Sequence, residues 1–318
     1  MHRRLKIKLL IVYLISVLPF LIFIFYLCDL WYDTRRAHVL AENINYARLA
    51  GEFTKDSLAK GELVSKIIST DPYFYTILLK NRVTADDFLR KAVNNNVNEI
   101  DNINILDLNG NILATTADLS KEENITLQNR AYFEEAIKTK KTAVSPSLVN
   151  RSTGKKVAMV ATPVIKNDEV AAVIIATLDL EHLKSAMENI FNKKNQPVLK
   201  NTIILLDNEG RAVFVTQQPF PKEEEDKLLA DTSLFIEARH GETHLIENQF
   251  LPLIKQRVVG VSVPVNNYGW VVVSVAETKE IFASLLTIQS IIWIITITGL
   301  LFAGSLFSFF LRKVKIAF

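Results

Sequence analysis

The segment Asn102-Ile-Asn-Ile-Leu-Asp-Leu-Asn-Gly-Asn-Ile-Leu-Ala-Thr-Thr116 has the pattern of a β-hairpin. Two runs rich in aliphatic residues flank the dipeptide Asn109-Gly110, which favours a two-residue turn between antiparallel strands. We therefore predict strands over residues 102–108 and 112–116. This hairpin is the first predicted pair of an antiparallel sheet.

The residues that follow the hairpin extend the predicted sheet. A polar loop over 119–128 leads to a short predicted helix at 130–138. Three more segments have the apolar, β-branched composition of strands; they are 141–149 (interrupted by Pro146), 156–163 and 170–178. We expect an antiparallel meander with helices on one side, in which Arg151 and Lys155 are solvated turn charges.

The same order of elements returns later in the chain. Residues 201–216 parallel the first hairpin, and the pair 256–264 and 269–276 parallels the last two strands of the first unit. A repeat at a spacing of about 100 residues predicts two similar domains in tandem. We place these domains at 73–180 and 201–280, with a connecting helix at 181–200.

The region before the first domain has the pattern of a long helix. Apolar residues recur at helical spacing from residue 29 to 72, and this segment contains no proline before Pro72. We predict a stalk helix over 29–72. Shorter helices are predicted over 74–79 and 85–97, with a break at 81–84.

Both ends of the chain have the composition of membrane spans. Residues 9–28 carry no charge, and a helix of that length covers about 30 Å, the thickness of the hydrocarbon core. Residues 281–311 are also uncharged. Basic residues precede the first stretch and follow the second, so both termini, 1–8 and 312–318, are expected in the cytoplasm. Residues of about 30–280 then lie outside the cell membrane.

The composition argues against several classes of function. The net charge of +3 is too small to indicate nucleic-acid binding. The single cysteine, Cys28, excludes an internal disulfide, and no nucleophile with a base or metal set is evident. The segment His240-Gly-Glu-Thr-His244 is interpreted as a turn. We expect no enzymatic activity, no metal and no cofactor in this chain.

The chain resembles the double Cache (dCache) sensor domains over residues 30–280. The resemblance rests on the order of elements and on three segments: Asn129-Arg-Ala-Tyr-Phe-Glu-Glu-Ala-Ile137, Ser152-Thr-Gly-Lys-Lys-Val-Ala-Met-Val-Ala-Thr-Pro-Val164 and Leu178-Asp-Leu-Glu-His-Leu183. It implies an α+β fold of two PAS-like modules on the stalk helix, flanked by two transmembrane helices. It also implies a bacterial homodimeric receptor of the histidine kinase or chemoreceptor type, with a small ligand in the membrane-distal module.

The resemblance assigns ligand contacts to the segment around Arg130. Family members that bind amino acids have an arginine followed by two aromatic residues, and Arg130, Tyr132 and Phe133 match these positions. Two interpretations of Arg130 remain: a guanidinium that binds a ligand carboxylate, and a structural cation that pairs with a nearby acid. Tyr132 is expected in the pocket wall, and Phe133 is expected mainly in the core.

Two positions depart from the pattern of the amino-acid sensors. Ile125 occupies the position of a family tyrosine, and Thr177 occupies that of the aspartate that pairs with the ligand ammonium. Thr177 and Asp179 are expected on one face of the strand if it is regular. Because a buried ammonium needs a partner, the resemblance favours a carboxylate ligand over an amino acid.

Three hypotheses of function follow. In the first, the chain senses a small extracytoplasmic ligand and transmits binding through the second span. In the second, it is the front part of a histidine kinase whose catalytic region is absent from this chain. In the third, it is a membrane anchor that senses nothing. Residues 312–318 cannot hold an output domain, so a cytoplasmic partner or a missing domain is expected.

Overall fold

The computed structural model describes residues 2–71, 74, 82–94, 100–117, 126–150, 153–191, 201–219, 221, 227, 229–265 and 268–316. It begins with a single long helix, α1 (His2–Thr70), which includes Pro19. At 1.5 Å per residue this helix is about 100 Å long. It includes the predicted stalk as far as Thr70, two residues before the predicted end of the stalk at residue 72.

The first module consists of one antiparallel sheet and two helices. Its strands lie in the order β2-β1-β6-β5-β3, and β4 also pairs with β5. The elements are α2 (Arg82–Asn94), β1 (Ile100–Leu106), β2 (Ile112–Thr115), α3 (Ala131–Thr139), β3 (Ala143–Val144), β4 (Leu148–Val149), β5 (Lys156–Lys166) and β6 (Glu169–Asp179).

The second module has the same arrangement. Its strand order, β8-β7-β11-β10-β9, matches that of the first module position by position. The remaining elements are α4 (Leu180–Phe191), β7 (Thr202–Leu206), β8 (Ala212–Val215), α5 (Ser233–Arg239), β9 (His244–Leu251), β10 (Gln256–Val265), β11 (Trp270–Glu277) and α6 (Thr278–Ile316). The α+β class and the two antiparallel sheets are therefore confirmed. The domain boundaries at 73–180 and 201–280 stay predictions.

Each sheet buries both of its faces. In β6, Ile174 and Ala176 pack in the cluster shared with α1, whereas Val173 and Ile175 pack in the cluster beneath α3. Successive side chains of a strand point to opposite faces, so a strand covered on both sides is apolar at almost every position. The unbroken apolar runs of the sequence follow from this double burial.

The helix α1 covers the same face of both sheets. Its buried side chains join residues of β1, β5, β6, β7, β10 and β11 in one core cluster; those from α1 are Ala47, Ala50, Leu58, Val64 and Ile68. Two glycines mark the close approaches. A Cβ atom at Gly61 would lie 3.1 Å from Val160 and 3.5 Å from Ala176, whereas one at Gly51 would lie 3.8 Å from the Pro264 carbonyl.

Two further contacts connect the second module to the long helices. The Ser274 hydroxyl of β11 donates a 2.7 Å hydrogen bond to Asn43 Oδ1 of α1, and both side chains are fully buried. The rings of Tyr32 in α1 and Phe282 in α6 stack with centroids 4.6 Å apart. These contacts place the start of α6 beside α1.

A buried carboxylate links the two modules. Asp207, which follows β7, is completely buried, and its Oδ2 accepts hydrogen bonds from the Ser147 amide at 2.9 Å and the Ser147 hydroxyl at 3.0 Å. Its Oδ1 accepts from the amides of Glu209 and Arg211. Nearby, the Asn208 side chain donates to the Val144 carbonyl at 3.2 Å. The loops around β3 and β4 are thereby fixed to the second module.

Two local predictions require correction. The Asn109-Gly110 turn is not a two-residue hairpin, because Leu106 pairs with Ile112 and a five-residue loop lies between them. Asp107 organises that loop by accepting from the amides of Asn109 and Asn111. The predicted break at 81–84 is wrong over 82–84, since α2 begins at Arg82, and residue 81 lies outside the described residues. Of the predicted helix at 74–79, only Phe74 is described.

The membrane spans over 9–28 and 281–311 stay predictions. Among the described residues, no helix has a stretch both long and apolar enough to cross a membrane.

The intermodule link can be tested by a matched pair of substitutions. Asp107 and Asp207 occupy equivalent loops, but only Asp207 also accepts bonds from the other module. Asp207→Asn should destabilise the protein by about 1.5–3 kcal/mol more than Asp107→Asn, because hydrogen bonds to a completely buried carboxylate, including those from the other module, are lost. Thermal unfolding of the full chain in detergent measures the difference. Equal losses for both variants would contradict the link.

Candidate ligand-binding site

The N-terminus of α3 is positioned by the first hairpin loop. Gly110 has a φ of +77°, and a Cβ atom there would lie 2.4 Å from the Gln128 amide nitrogen. The Gly110 carbonyl accepts a hydrogen bond from the Leu127 amide at 3.2 Å. Only glycine permits this approach without strain. The hairpin thus fixes the turn that presents Arg130 at the start of α3.

The two aromatic residues of α3 are both buried. Tyr132 is 4% exposed and Phe133 is 1% exposed, and both pack in the cluster between α3 and the first sheet. The Tyr132 hydroxyl contacts Met159 Sδ of β5 at 2.8 Å. Burial raises the pKa of the Tyr132 phenol to about 12, although the positive charge of Arg130 opposes the rise. The phenol is therefore neutral, and it lies close enough to Arg130 for the positive charge to affect its pKa.

The sheet beneath α3 presents two buried polar atoms that have no partner. Thr177 lies opposite Asn102 on one side and Met159 on the other. Within the described residues, Thr177 Oγ1 and Asn102 Oδ1 are buried and form no hydrogen bond. Directly opposed side chains on one face lie about 5 Å apart. The two atoms are therefore adjacent, next to the methionine that contacts Tyr132.

A neighbouring polar pair is fully satisfied by contrast. The Thr115 hydroxyl donates to Asn104 Oδ1, and the Thr115 amide donates to Asp86 Oδ1 of α2 at 2.8 Å. Asn104, Thr115 and Asp86 are all buried. These hydrogen bonds fix α2 to β2. By contrast, the neighbouring atoms Asn102 Oδ1 and Thr177 Oγ1 have no partner among the described residues.

Asp179 lies on the same face as Thr177 because β6 is regular up to its end. Its carboxylate has other partners: Lys155 Nζ at 2.8 Å, and the amides of Glu181 and His182 at the start of α4. Burial alone would raise the pKa of Asp179, but these hydrogen bonds and the Lys155 charge outweigh it and lower the pKa. Lys155, expected as a solvated turn charge, remains 41% exposed but also pairs with Asp179.

Arg130 is half-buried and lies just before α3. Its guanidinium forms no hydrogen bond or ion pair with any residue that the structure describes. The pairing that the structural interpretation requires is absent from this part of the chain. Arg151 and Ile125, the other two positions considered, lie outside the described residues.

Three of the five predicted residues are linked by successive contacts: Arg130 affects the pKa of Tyr132, the Tyr132 hydroxyl contacts Met159, and Met159 lies opposite Thr177. Phe133 packs in the core cluster beneath α3. Asp179 is held by Lys155 and α4. Sequence reasoning missed Asn102 and Met159. Both residues lie opposite Thr177 in the sheet. This pairing can be assigned only when the strand order is known.

The described residues contain no group of three or more histidine, cysteine, aspartate and glutamate side chains that could hold a metal. The segment 240–244 forms the turn between α5 and β9, as predicted. His244 Nδ1 contacts Glu237 Oε2 there. These two residues pair with each other at the end of α5.

Known proteins with the same fold are sensory domains. The periplasmic sensory domain of the Campylobacter jejuni chemoreceptor Tlp1 has a TM-score of 0.53 at 13% identity, covering 78% of this chain and 98% of that one. The ligand-binding domain of C. jejuni Tlp3, solved in complex with L-norvaline, has a TM-score of 0.52 at 14% identity, covering 78% and 94%.

A curated relative and a family profile extend the comparison. The chain is 28% identical to sporulation kinase D of Bacillus subtilis (strain 168) over 114 residues, which is 36% of this chain and 21% of the kinase. The match thus spans about a fifth of that kinase. The Cache domain profile dCache_1 matches residues 36–285, which include both sheets. The protein therefore belongs to the Cache domain family.

Proposed function

We propose that the chain is the extracytoplasmic sensor region of a bacterial membrane receptor and that its first module binds a small organic carboxylate. The observation that carries the proposal is the pair of buried atoms without a partner among the described residues, Thr177 Oγ1 and Asn102 Oδ1. They lie next to Met159, which contacts the Tyr132 hydroxyl near Arg130. A buried polar atom without a partner costs about 1–3 kcal/mol. A ligand that accepts from Thr177 Oγ1 through its carboxylate and donates to Asn102 Oδ1 through a hydroxyl group would recover that free energy.

The chemistry of the site favours a carboxylate. Arg130 supplies an unpaired guanidinium among the described residues, and guanidinium groups form paired, charge-assisted hydrogen bonds with carboxylates. The two described carboxylates near this polar group have other partners: Asp179 pairs with Lys155, and Asp86 accepts from the Thr115 amide. An ammonium group on the ligand would lack an acidic partner here. Amino acids are accordingly poor candidates.

We further propose that the first module is membrane-distal and the second membrane-proximal. The uncharged stretches 9–28 and 281–311, with basic residues beyond each, support two membrane spans with both termini in the cytoplasm. Ligand binding would be transmitted through α6 to a cytoplasmic partner or domain, in a homodimer. A ligand can shift such an equilibrium only by its different affinity for the two states.

A histidine kinase is the output that the comparisons favour. The chain is similar to part of sporulation kinase D, and that similarity supports a kinase over a chemoreceptor. The coding sequence beyond residue 318 tests this choice. A helix pair followed by kinase motifs would support a kinase, and the motifs of a chemoreceptor would refute it.

Thr177→Val separates ligand binding from stability. The substitution removes an unpartnered buried hydroxyl at nearly constant volume, so the ligand-free protein should be as stable as the wild type or up to about 1 kcal/mol more stable. Affinity for the carboxylate found by thermal-shift screening should fall roughly 3–10-fold. Calorimetric titration and thermal unfolding measure the two effects. A loss of stability with unchanged affinity would assign Thr177 a structural role.

Arg130→Ala tests the carboxylate contact. Charge-assisted hydrogen bonds contribute about 1.5–3 kcal/mol, so the dissociation constant should rise roughly 10–100-fold. Lys138→Ala is the matched control, because Lys138 is an exposed cation in the last turn of the same helix. Titration calorimetry on the full chain in detergent compares the variants. Unchanged affinity for Arg130→Ala would return Arg130 to the structural interpretation.

A further inference from the structure

The second module contains a cleft on the face of its sheet that packs α5. The cleft has a volume of about 230 Å³, far above the roughly 30 Å³ that one water occupies in the liquid. Its polar groups come from β7, the residues after β8, β10 and β11; they are Thr202, Thr216, Gln217, Gln218, Gln256 and Glu277. Val258 and Val275, both fully or almost fully buried, form its apolar floor.

The cleft occupies the position on the second sheet that the candidate site occupies on the first. Thr202 lies opposite Val275, as Asn102 lies opposite Thr177. Glu277 is two residues beyond Val275, as Asp179 is two residues beyond Thr177. The repeated topology has thus placed a polar cleft in the second module at strand ends equivalent to those of the candidate site in the first.

The two carboxylates at these equivalent positions differ in their partners. Asp179 is held by Lys155 and by the amides at the start of α4. Glu277 is half-buried, and its side chain has no hydrogen bond or ion pair with the residues that the structure describes. In the first module, Asp179 is held by contacts within the fold. In the second module, the equivalent carboxylate of Glu277 is available to a ligand.

The charges around the cleft define the ligand chemistry. None of the cleft-lining residues that the structure describes is basic, and Lys184 lies beside the cleft at Gln218. Lys184 Nζ contacts the Gln218 carbonyl and lies 3.9 Å from Glu188, whose carboxylate also accepts from the Gln217 amide. A ligand that donates hydrogen bonds and carries a positive charge suits one free carboxylate among amide and hydroxyl groups.

We propose that this cleft binds a small primary amine, with its ammonium group on Glu277 and its remaining polar groups on Thr202 and Gln256. The proposal does not depend on the carboxylate site of the first module. Glu277 is the last residue of β11, and α6 begins at the next residue. Amine binding therefore acts on the junction between the second sheet and the helix that leads out of it.

Calorimetric titration of the full chain in detergent with ethanolamine and putrescine tests the proposal. Ethylene glycol serves as the uncharged counterpart of ethanolamine. At least one amine should bind at millimolar concentrations or below, and ethylene glycol should bind at least tenfold more weakly. Binding of neither amine, or equal binding of ethylene glycol, would overturn the proposal.

Variants locate the site. Glu277→Gln keeps the shape of the side chain and should weaken amine binding roughly 10-fold or more, whereas Gln256→Ala, at an exposed position, should weaken it roughly 3-fold. Glu242→Gln, an exposed carboxylate in the turn after α5, and Arg130→Ala in the first module should leave amine affinity unchanged. Unchanged affinity in both cleft variants, or loss in Arg130→Ala, would overturn the assignment.

Discussion

The packing of one helix against two sheets is the constraint on which the rest of the structure depends. Neither sheet buries its inner face without α1, and the shared cluster contains α1 side chains together with strands of both modules. The free energy of this burial is common to both units, at about 25 cal/mol per Å² of apolar surface. Because α1 occupies the inner faces, α3 and α5 are confined to the outer faces. Both candidate ligand sites lie there.

The apolar clusters beneath α3 and α5, on the outer faces of the two sheets, are connected to each other through polar contacts. Leu148 packs against the cluster that contains Tyr132, and its neighbour Ser147 bonds to Asp207 in the second module. Asp207 follows β7, the strand that provides Thr202 to the second cleft. A shift of β4 that accompanies ligand binding would change the geometry at a buried charge. A buried charge tolerates such a change poorly, since it has no water to replace a lost donor.

Local sequence patterns predicted the elements well, and long-range contacts poorly. Alternation along β6 placed Thr177 and Asp179 on one face, and the repeat near residues 102 and 201 predicted two sheets of one topology. The partner of Asp179 could not be predicted, because the turn at Gly154, with a φ of +70°, returns Lys155 to the sheet. The Ser147–Asp207 bond joins residues 60 positions apart, and no local pattern encodes it.

The spacing of the two glycines in α1 limits how the length of this helix can change. Gly51 faces the second sheet and Gly61 faces the first, so the ten residues from one to the other set the rotation of one module relative to its neighbour about the helix axis. Each inserted residue turns the helix by about 100° and lengthens it by about 1.5 Å. Insertions near seven or eleven residues restore the face, whereas single insertions do not. Among relatives, insertions between the positions of Gly51 and Gly61 are therefore expected to have about seven or eleven residues. Other changes of length are expected outside residues 51–61.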